Sequence, residues 1–332
     1  MRRDEAGKWP CSGIFKSCSP RQTYTGVMFS LPAPFRPLST ALATAALLCL
    51  LAHPASARAW GNGGHRMINR LAVTSLPADV PAFLRAPEAI AEIEYLGPEP
   101  DRWRSPAEPE LSAAQAPEHF IDLELAEALG ALPHRRLDFE ASVYASGQRP
   151  EKIGLQPWEA TEVWERLKAA MREYRALAAR HQETRPAEQA VIFYAGWLGH
   201  YVGDGSQPLH TTIQYNGWVG ANPHGYTTGH QIHWQFEGPF VEANIGEPDV
   251  RAAMTPLQPI HGDLFDAYVA YLHRSKSFVE TVYQLEKAGG FMGAGTPESR
   301  RFTAQRLAAG ASMLRDMIYA AWQESAEPVA GP

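Results

Sequence analysis

The stretch PAEQAVIFYAGWLGHYVGD, residues 186–204, decides the fold class of this 332-residue chain. It predicts a helix with apolar residues on nearly every face, which is the pattern of a buried central helix rather than of a surface helix. Two side chains that can bind metal, His200 and Asp204, lie near its end. The segment therefore predicts a helical core that contains a candidate functional site.

Helical periodicity continues on both sides of this segment. Apolar spacing predicts further helices over 65–76, 77–84, 157–181, 263–289 and 299–325. Strand-like alternation is not sustained anywhere, and no repeat with a period of about 20–50 residues is visible. The sequence predicts an all-α, single-domain, multi-helix bundle with irregular loops near 97–118, 132–156 and 211–228. The last loop is rich in glycine, asparagine and aromatic residues, so it can line a pocket or form an ordered surface loop.

The first 59 residues have the pattern of a secretory signal. After Met28 come a basic residue, an apolar run around 41–52 and the small residues Ala57 and Ala59. An N-terminal membrane helix is the alternative, but the run is short for a membrane span. We expect translation to start at Met28 rather than Met1, cleavage near Ala59, and a secreted or periplasmic domain over 60–332.

Composition limits the classes of function open to residues 60–332. All three cysteines (Cys11, Cys18 and Cys49) precede this range, so the exported domain would have no disulfide, and bound metal is one other source of stability. Seven of the 30 basic and two of the 36 acidic residues also precede it, which leaves 23 against 34 and a net charge of −11. This charge excludes the usual basic-patch type of nucleic-acid binder. A polyanionic substrate would need local positive charge, which divalent metals can supply.

Histidine–carboxylate pairs recur at helical spacing. His200 and Asp204 are four residues apart, as are His233 and Glu237, so each pair projects from one helix face and can reach one ion. Further candidates lie in less regular segments: Asp101, His119, Asp122 and His210. The accumulation of these residues favours a site with several metal ions.

Each signal also has an ordinary structural explanation. A lone histidine on an apolar helix is more often a hydrogen-bonded core residue than a ligand, and i,i+4 pairs also arise as helix-face contacts. His230 lies on nearly the same helix face as Glu237, so it competes with His233 for the role of ligand. The remaining histidines have no such neighbours and are assigned to surface or structure: His53, His134, His181, His224, His261 and His273.

Five motifs, in this order along the chain, resemble those of the trinuclear zinc phosphodiesterases. That superfamily comprises secreted nucleases that prefer single strands and zinc-dependent bacterial phospholipases C. The motifs are the Trp and His of WGNGGH (60–65), the Asp of PDRWR (100–104), HFID (119–122), GHYVGDGSQPLH (199–210) and HWQFE (233–237). The resemblance covers most of residues 60–240. The long motif GHYVGDGSQPLH is specific to the superfamily, whereas HFID or HWQFE alone would be weak evidence. The C-terminal helices match those of the superfamily only in their general character.

The resemblance implies three Zn²⁺ ions. One would be held by Asp101, His119, His200 and Asp204. A second would take the amino nitrogen and carbonyl oxygen of Trp60 as the new N-terminus, with His65 and the other oxygen of Asp204. Asp204 would therefore bridge these two ions. The third ion would be held by His210, His233 and Glu237.

The implied chemistry is hydrolysis of a phosphate ester by a metal-activated hydroxide. Asp101 would orient the attacking water and Arg104 would face the transition state, with Asp204 as the bridging ligand. Arg102 is the competing arginine, and a surface salt bridge is the alternative for both. Phe120 can stack on a base, flank a lipid headgroup or pack in the core.

The motifs divide between the two branches of the superfamily. The five-residue separation of Trp60 and His65 matches the nucleases, whereas Glu237 in place of Asp and the following GPFVEAN (238–244) lean toward the phospholipases. We expect an endonuclease or 3′-nucleotidase that acts on single-stranded DNA, RNA or nucleotides. A phospholipase C acting on phospholipid headgroups is the alternative, and a non-catalytic zinc-binding protein is a second alternative. The sequence predicts neither a stable membrane span nor a protein partner.

Overall fold

The computed structural model describes residues 60–328, and this part of the chain is all-α. It contains no strand, and only isolated bridges join Ile121 to Gly154 and Tyr215 to Gly217. The predicted all-α, single-domain fold is confirmed. The predicted signal peptide, its cleavage site near Ala59 and the start at Met28 lie outside the described residues. Within residues 60–328, no helix combines the length and apolar character that a membrane crossing requires.

The helices, numbered in chain order, are α1 (Gly61–Thr74), α2 (Pro87–Leu96), α3 (Glu99–Trp103), α4 (Pro109–Gln115), α5 (Leu123–Glu127), α6 (Arg136–Ala145), α7 (Pro150–Ile153), α8 (Gln156–Ala179), α9 (Arg185–Ser206), α10 (Ile232–Glu237), α11 (Pro239–Asn244), α12 (Glu247–Ala253), α13 (Leu264–Lys276), α14 (Val279–Lys287) and α15 (Pro297–Glu324). Short 3-10 turns cover Ala82–Arg85, Ala116–His119 and Pro208–His210.

Helix α9 lies at the centre of the bundle, as its all-round apolar sequence predicts. It packs against α1, α2, α8, α13 and α15, and every residue from Leu198 to Ser206 is buried. Because these neighbours surround it, the polar residues near its C-terminal end can only be satisfied by groups inside the bundle.

Glycines on α9 allow α1 to approach it closely. A β-carbon added at Gly199 would lie 1.8 Å from Oδ1 of Asn69, and one at Gly203 would lie 2.9 Å from Nδ1 of His65. Asn69 donates from Nδ2 to the carbonyl of Gly196 at 2.9 Å, which ties the two helices together. The glycines therefore bring His65 against the end of α9 that carries Asp204.

Two of the three predicted irregular regions contain helices. Near 97–118 the chain forms α3 and α4, because Pro100 and Pro109 lie in first turns, where a missing N–H removes no helical hydrogen bond. Within 132–156, α6 forms because Phe139 and Val143 are buried, and Phe139 stacks on Trp158 with ring centroids 4.1 Å apart. Those two regions were predicted wrongly, whereas 211–228 forms no helix beyond turns and bends, as predicted.

Two predicted helices differ in extent from the observed ones. The predicted helix 263–289 is interrupted between α13 and α14, where Phe278 turns toward Phe302 with ring centroids 5.8 Å apart. Of the predicted helix 77–84, only its end enters the 3-10 turn Ala82–Arg85. Pro81 explains this difference, because proline restricts the residue before it to extended conformations.

Candidate metal centre

Helix α9 supplies the first two side chains of the site, His200 and Asp204, which are both fully buried. Nδ1 of His200 lies 2.8 Å from the carbonyl oxygen of Gly97. A carbonyl oxygen only accepts, so Nδ1 carries the proton and the Nε2 lone pair of the neutral ring points inward. Nε2 lies 2.9 Å from Nδ1 of His119 and 3.4 Å from Oδ2 of Asp204.

The segment that carries His119 is fixed by backbone hydrogen bonds on two sides. The N–H of Leu155 donates to Pro117 at 2.7 Å and that of Asp122 to Ile153 at 2.7 Å, while the N–H of Ile121 donates to His210 at 2.9 Å. This pairing holds His119 between the start of α8 and the 3-10 turn that follows α9. Two parts of the predicted site, the segments around 119 and 210, are thus joined through the main chain.

Asp204 lies between two groups of histidines. Its Oδ2 lies 3.1 Å from Nδ1 of His119, and its Oδ1 lies 3.4 Å from Nε2 of His65. The imidazole of His65 stacks on that of His200, with centroids 4.0 Å apart. Because its two oxygens face different imidazoles, Asp204 has the arrangement of a bridging carboxylate.

A second cluster combines the 3-10 turn after α9 with α10. Nε2 of His233 lies 3.0 Å from Oε2 of Glu237, and Nε2 of His210 lies 3.5 Å from the same oxygen. The two Nε2 atoms are 3.1 Å apart. Both rings donate from Nδ1 to carbonyls, His210 to His119 at 2.6 Å and His233 to Tyr215 at 2.9 Å. Two Nε2 lone pairs that face each other repel unless a proton or another cation lies between them.

The donor sets fit metal ions. Within the described residues, three buried groups bring their ligand atoms within 4.8 Å of one another: His65/His200/Asp204, Asp101/His119/His200 and His210/His233/Glu237. These buried groups can hold metal ions. Both oxygens of Asp101, Oδ1 of Asp204 and Oε1 of Glu237 have no hydrogen-bond donor in this part of the chain. A buried carboxylate with an unsatisfied oxygen is costly, and a cation would remove that cost.

Burial changes the charge states of these groups. It raises the pKa of Asp101 to about 6 and that of Asp204 well above its usual range, and it lowers the pKa values of His119 and His200 well below theirs. Glu237 differs: burial opposes its ionisation, but the charge of His233 and hydrogen bonds from His210 and His233 lower its pKa to about 2. Burial therefore disfavours the ionised form of Asp204, and a cation bound beside it would offset that cost.

Trp60 is anchored against the same end of α9. Its indole N–H donates to the carbonyl of Gly203 at 2.8 Å and to Oγ of Ser206 at 2.9 Å, and its ring packs edge-on against Phe236. The backbone of Trp60 has a φ of 45°, and its carbonyl accepts from the N–H of Gly64 at 3.0 Å. Trp60 therefore lies beside Asp204 in the fold. Coordination by its amino group remains a prediction.

A cavity of about 290 Å³ opens onto these clusters. Its lining includes His119, His210 and His233 together with Arg104, Phe120, Asp122, Lys152 and Tyr215. Arg104 lies 3.5 Å from Asp101. Phe120 is half-buried and Tyr215 is 55% exposed, so both rings are available to a bound molecule. Larger cavities elsewhere in the described range, of about 440–540 Å³, contain none of the predicted ligands.

Some candidates lie outside the clusters. His230 is exposed and lies 2.7 Å from the carbonyl of Asn216, and it belongs to none of the three groups. Arg102 pairs with Glu99 and stacks on Tyr95 rather than lining the cavity. Asp122 lines the cavity, but it joins no metal-binding group.

The structure also reveals features that the sequence did not indicate. Gln207, within the GDGSQPLH motif, donates from Nε2 to Oε2 of Glu237 at 3.0 Å and so orients that carboxylate. His134, assigned to the surface, is exposed but lies with Asp263 and Asp266 in a fourth group of possible ligands. Its partners are more than 125 residues away along the chain, so no local pattern could have indicated the group.

The chain matches no protein-family model and no curated protein sequence.

Proposed function

We propose that the protein is a secreted, zinc-dependent phosphodiesterase of the nuclease or 3′-nucleotidase type. The observation that carries this proposal is the arrangement around Asp204. Three buried groups of potential ligands adjoin one another, and a cavity opens beside them. Multi-ion sites of this kind are typical of enzymes that cleave phosphate esters. Zinc is the proposed metal because the donors are imidazoles and carboxylates and because the motifs resemble those of a zinc family.

The residues that would hold the ions are those of the predicted ligand set: Trp60, His65, Asp101, His119, His200, Asp204, His210, His233 and Glu237. Ions bound there would supply Lewis-acid chemistry and lower the pKa of water at the site. The carbonyls of Gly97, His119 and Tyr215 fix the imidazoles of His200, His210 and His233 with Nε2 directed inward. Because these rings are already oriented, they would not have to reorient when the site binds cations.

The protein groups beside the clusters have separate roles in the proposal. Asp101, buried and without a hydrogen-bond donor on either oxygen, would accept a hydrogen bond from the attacking water. Arg104 would balance the charge that develops on the phosphate oxygens, since it lines the cavity next to Asp101. Phe120 would flank the group attached to the phosphate.

The composition of the cavity supports a nucleotide-like substrate over a phospholipid. Arg104 and Lys152 supply positive charge, although Asp122 and Glu151 also line the cavity, and Phe120 and Tyr215 supply aromatic rings there. A substrate with a phosphate and a planar base matches both features. Phospholipase C activity on phosphatidylcholine is therefore an outcome that the experiment must test.

The test combines metal analysis with substrate assays on the exported protein that begins at Trp60. We expect about three equivalents of zinc, hydrolysis of denatured DNA, RNA and a 3′-mononucleotide, and loss of these activities with a chelator. Fewer than two equivalents of metal would contradict the multi-ion site. Hydrolysis of phosphatidylcholine without hydrolysis of any nucleic acid would contradict the nuclease assignment. An added residue before Trp60 should weaken metal retention if its amino group is a ligand.

A further inference from the structure

Aromatic side chains cluster on the outer part of α9 and on α3. Trp197 lies at the centre, with its ring centroid 5.2 Å from that of Trp103 and 5.8 Å from that of Phe193. Tyr194 stacks beside Trp197 at 6.2 Å with an angle of 29° between the planes. Phe193 is 37% exposed and the other three are half-buried. We call these four residues the α9 aromatic surface.

This surface lies on the same helix as His200 and Asp204, and none of its four residues lines the cavity at the clusters. Phe193 and Trp197 are one helical turn apart, and His200 and Tyr201 follow on the next turn of the same helix. Tyr201 packs against both His119 and His200, with ring centroids 5.6 and 5.5 Å apart. On α3, Trp103 directly precedes Arg104, which lines the cavity. A long substrate could therefore contact the surface while its reacting phosphate lies at the metal centre.

Guanidinium groups accompany the rings. Arg166 lies over the ring of Trp197 at 5.5 Å, and its side chain is 42% exposed although it also pairs with Glu162 at 3.7 Å. Arg104, with its side chain 25% exposed, follows Trp103 in the chain, lines the cavity and pairs with Asp101 at 3.5 Å. Rings that accept stacked bases, together with arginines that contact phosphates, are the features that bind single-stranded nucleic acids without sequence preference.

We propose that the α9 aromatic surface binds the part of an unpaired nucleic-acid strand that extends beyond the metal centre. The inference rests on the proposed function, since it assigns a polymeric substrate to that site. It adds a binding surface that distinguishes strands from mononucleotides. A short substrate fills only the cavity, whereas a strand gains stacking on Trp197 and Phe193 and charge contacts with Arg166.

The test measures, by fluorescence anisotropy, the binding of a fluorescein-labelled phosphorothioate oligothymidylate of about 16 nucleotides. Phe193→Ala and Arg166→Gln change exposed side chains, so they should fold normally, and Trp197→Phe retains a ring. We expect Phe193→Ala to weaken binding on the order of 10-fold, because each stacked base contributes at that level. Trp197→Phe should weaken it less than Trp197→Ala. The matched control is Tyr144→Ala on α6, which removes another aromatic ring that is 57% exposed.

Kinetics on two substrates separate this inference from the proposed function. Phe193→Ala should raise KM for the corresponding hydrolysable oligonucleotide and leave kcat/KM for a 3′-mononucleotide within twofold of wild type. Equal strand binding by wild type and Phe193→Ala would overturn the inference and leave the nuclease proposal intact. If Phe193→Ala instead lost the co-sedimentation with phosphatidylcholine vesicles that wild type shows, while its strand binding was unchanged, the surface would be a membrane-binding surface. That result would overturn the inference. Phe193-dependent strand binding without any hydrolysis would contradict the proposed function alone.

Discussion

At the scale of single residues, Asp204 is a buried carboxyl group that lies between two groups of histidines. It is fully buried, and imidazole nitrogens of His65, His119, His200 and His210 lie between 3.1 and 3.9 Å from its oxygens. Burial disfavours ionisation of this carboxyl group and raises its pKa well above the usual range. A cation beside Asp204 would favour its ionised form, which makes Asp204 the residue at which to test the metal centre.

Asp204→Asn removes the charge and one acceptor with little change of volume. We expect the variant to lose at least one equivalent of metal and more than about 100-fold in activity, which exceeds the usual effect of removing a residue that only orients a ligand. His230→Ala is the control, because His230 is exposed and outside the clusters. The metal content and the kcat/KM on single-stranded DNA are measured for both variants. Equal losses in the two variants would mean that His230 is a ligand.

Gln207 offers a second test, since it is not a ligand itself. Gln207→Met removes the hydrogen bond to Oε2 of Glu237 and keeps the size of the side chain. We expect metal affinity at the cluster of His210, His233 and Glu237 to fall by about 10- to 100-fold. Competition with a fluorescent zinc chelator measures this loss, and Gln323→Met at an exposed position is the control. Unchanged affinity would show that Glu237 is fixed without Gln207.

Asp122 predicts a pH dependence of stability. Burial raises its pKa to about 7 from the ordinary value of 3.8, with Glu124 adding to the rise and Lys276 opposing it. Between those pH values the folded protein binds more protons than the unfolded chain. The contribution of Asp122 to stability is therefore fully present below pH 3.8 and is lost as the pH rises through 7.

The comparison of wild type with Asp122→Asn isolates this contribution. The free energy of unfolding of wild type relative to the variant should fall by up to about 1.4 kcal/mol per pH unit between pH 4 and 7 and then level off. Urea unfolding of both proteins in a chelator measures it and removes the effect of metal binding. A difference that does not change with pH would contradict the raised pKa.

The residues that could be predicted from the sequence are those whose partners are local. His200 with Asp204 and His233 with Glu237 were recognised by helical spacing, and the structure brings each pair together. Gln207 was not recognised, because its partner Glu237 is 30 residues away. Lys152 was missed for a similar reason, since only the folded chain brings it to the cavity beside Arg104.

At the scale of secondary-structure elements, the contact between α1 and α9 determines the position of His65. Gly203 allows this contact, because any larger side chain there would meet the imidazole of His65. The sequence indicated that α9 is buried, but it did not indicate which helix faces its glycines. That choice depends on Asn69 and His65, which lie more than 125 residues before the glycines that they contact.

Gly203→Ala tests this close contact. The added methyl group would lie 2.9 Å from Nδ1 of His65, so we expect the unfolding free energy to fall by about 1–3 kcal/mol and metal retention to weaken. Gly63→Ala is the matched control, because its methyl group would meet only Cγ of Glu242 at 3.9 Å and alanine favours a helix. Urea unfolding and metal analysis apply to both variants. Equal stability of Gly203→Ala and wild type would mean that α1 can shift without cost.

Elements that lack strong periodicity could not be predicted. Helix α6 depends on Phe139 packing against Trp158, and the break between α13 and α14 depends on Phe278 packing against α15. The break between α13 and α14 carries no glycine or proline signal, and Gly147, which follows α6 with a φ of 78°, indicates only where that helix ends. Tertiary packing therefore determines these boundaries, whereas the long helices α8, α9 and α15 were evident from their own sequences.

At the scale of the whole molecule, the candidate metal centre joins distant parts of the chain. Along the chain, its predicted ligands extend from Trp60, directly before α1, to Glu237, the last residue of α10. The ligands on α9 come between these two. No described residue is a cysteine, so no disulfide links these elements within residues 60–328. If ions bind the three buried groups, they cross-link α1, α3, α9 and α10 in place of disulfides.

Removal of metal should therefore lower the stability of the entire domain and not only its activity. Ions that bind the folded state alone stabilise it by mass action, so we expect a chelator to lower Tm by more than about 10 °C and zinc to restore it. Differential scanning calorimetry of wild type and Asp204→Asn measures this effect, and the variant should respond less because part of its centre is already lost. An unchanged Tm in the chelator, with metal analysis showing that all metal has left, would mean that the helices pack without ions and that the clusters do not serve the stability of the fold.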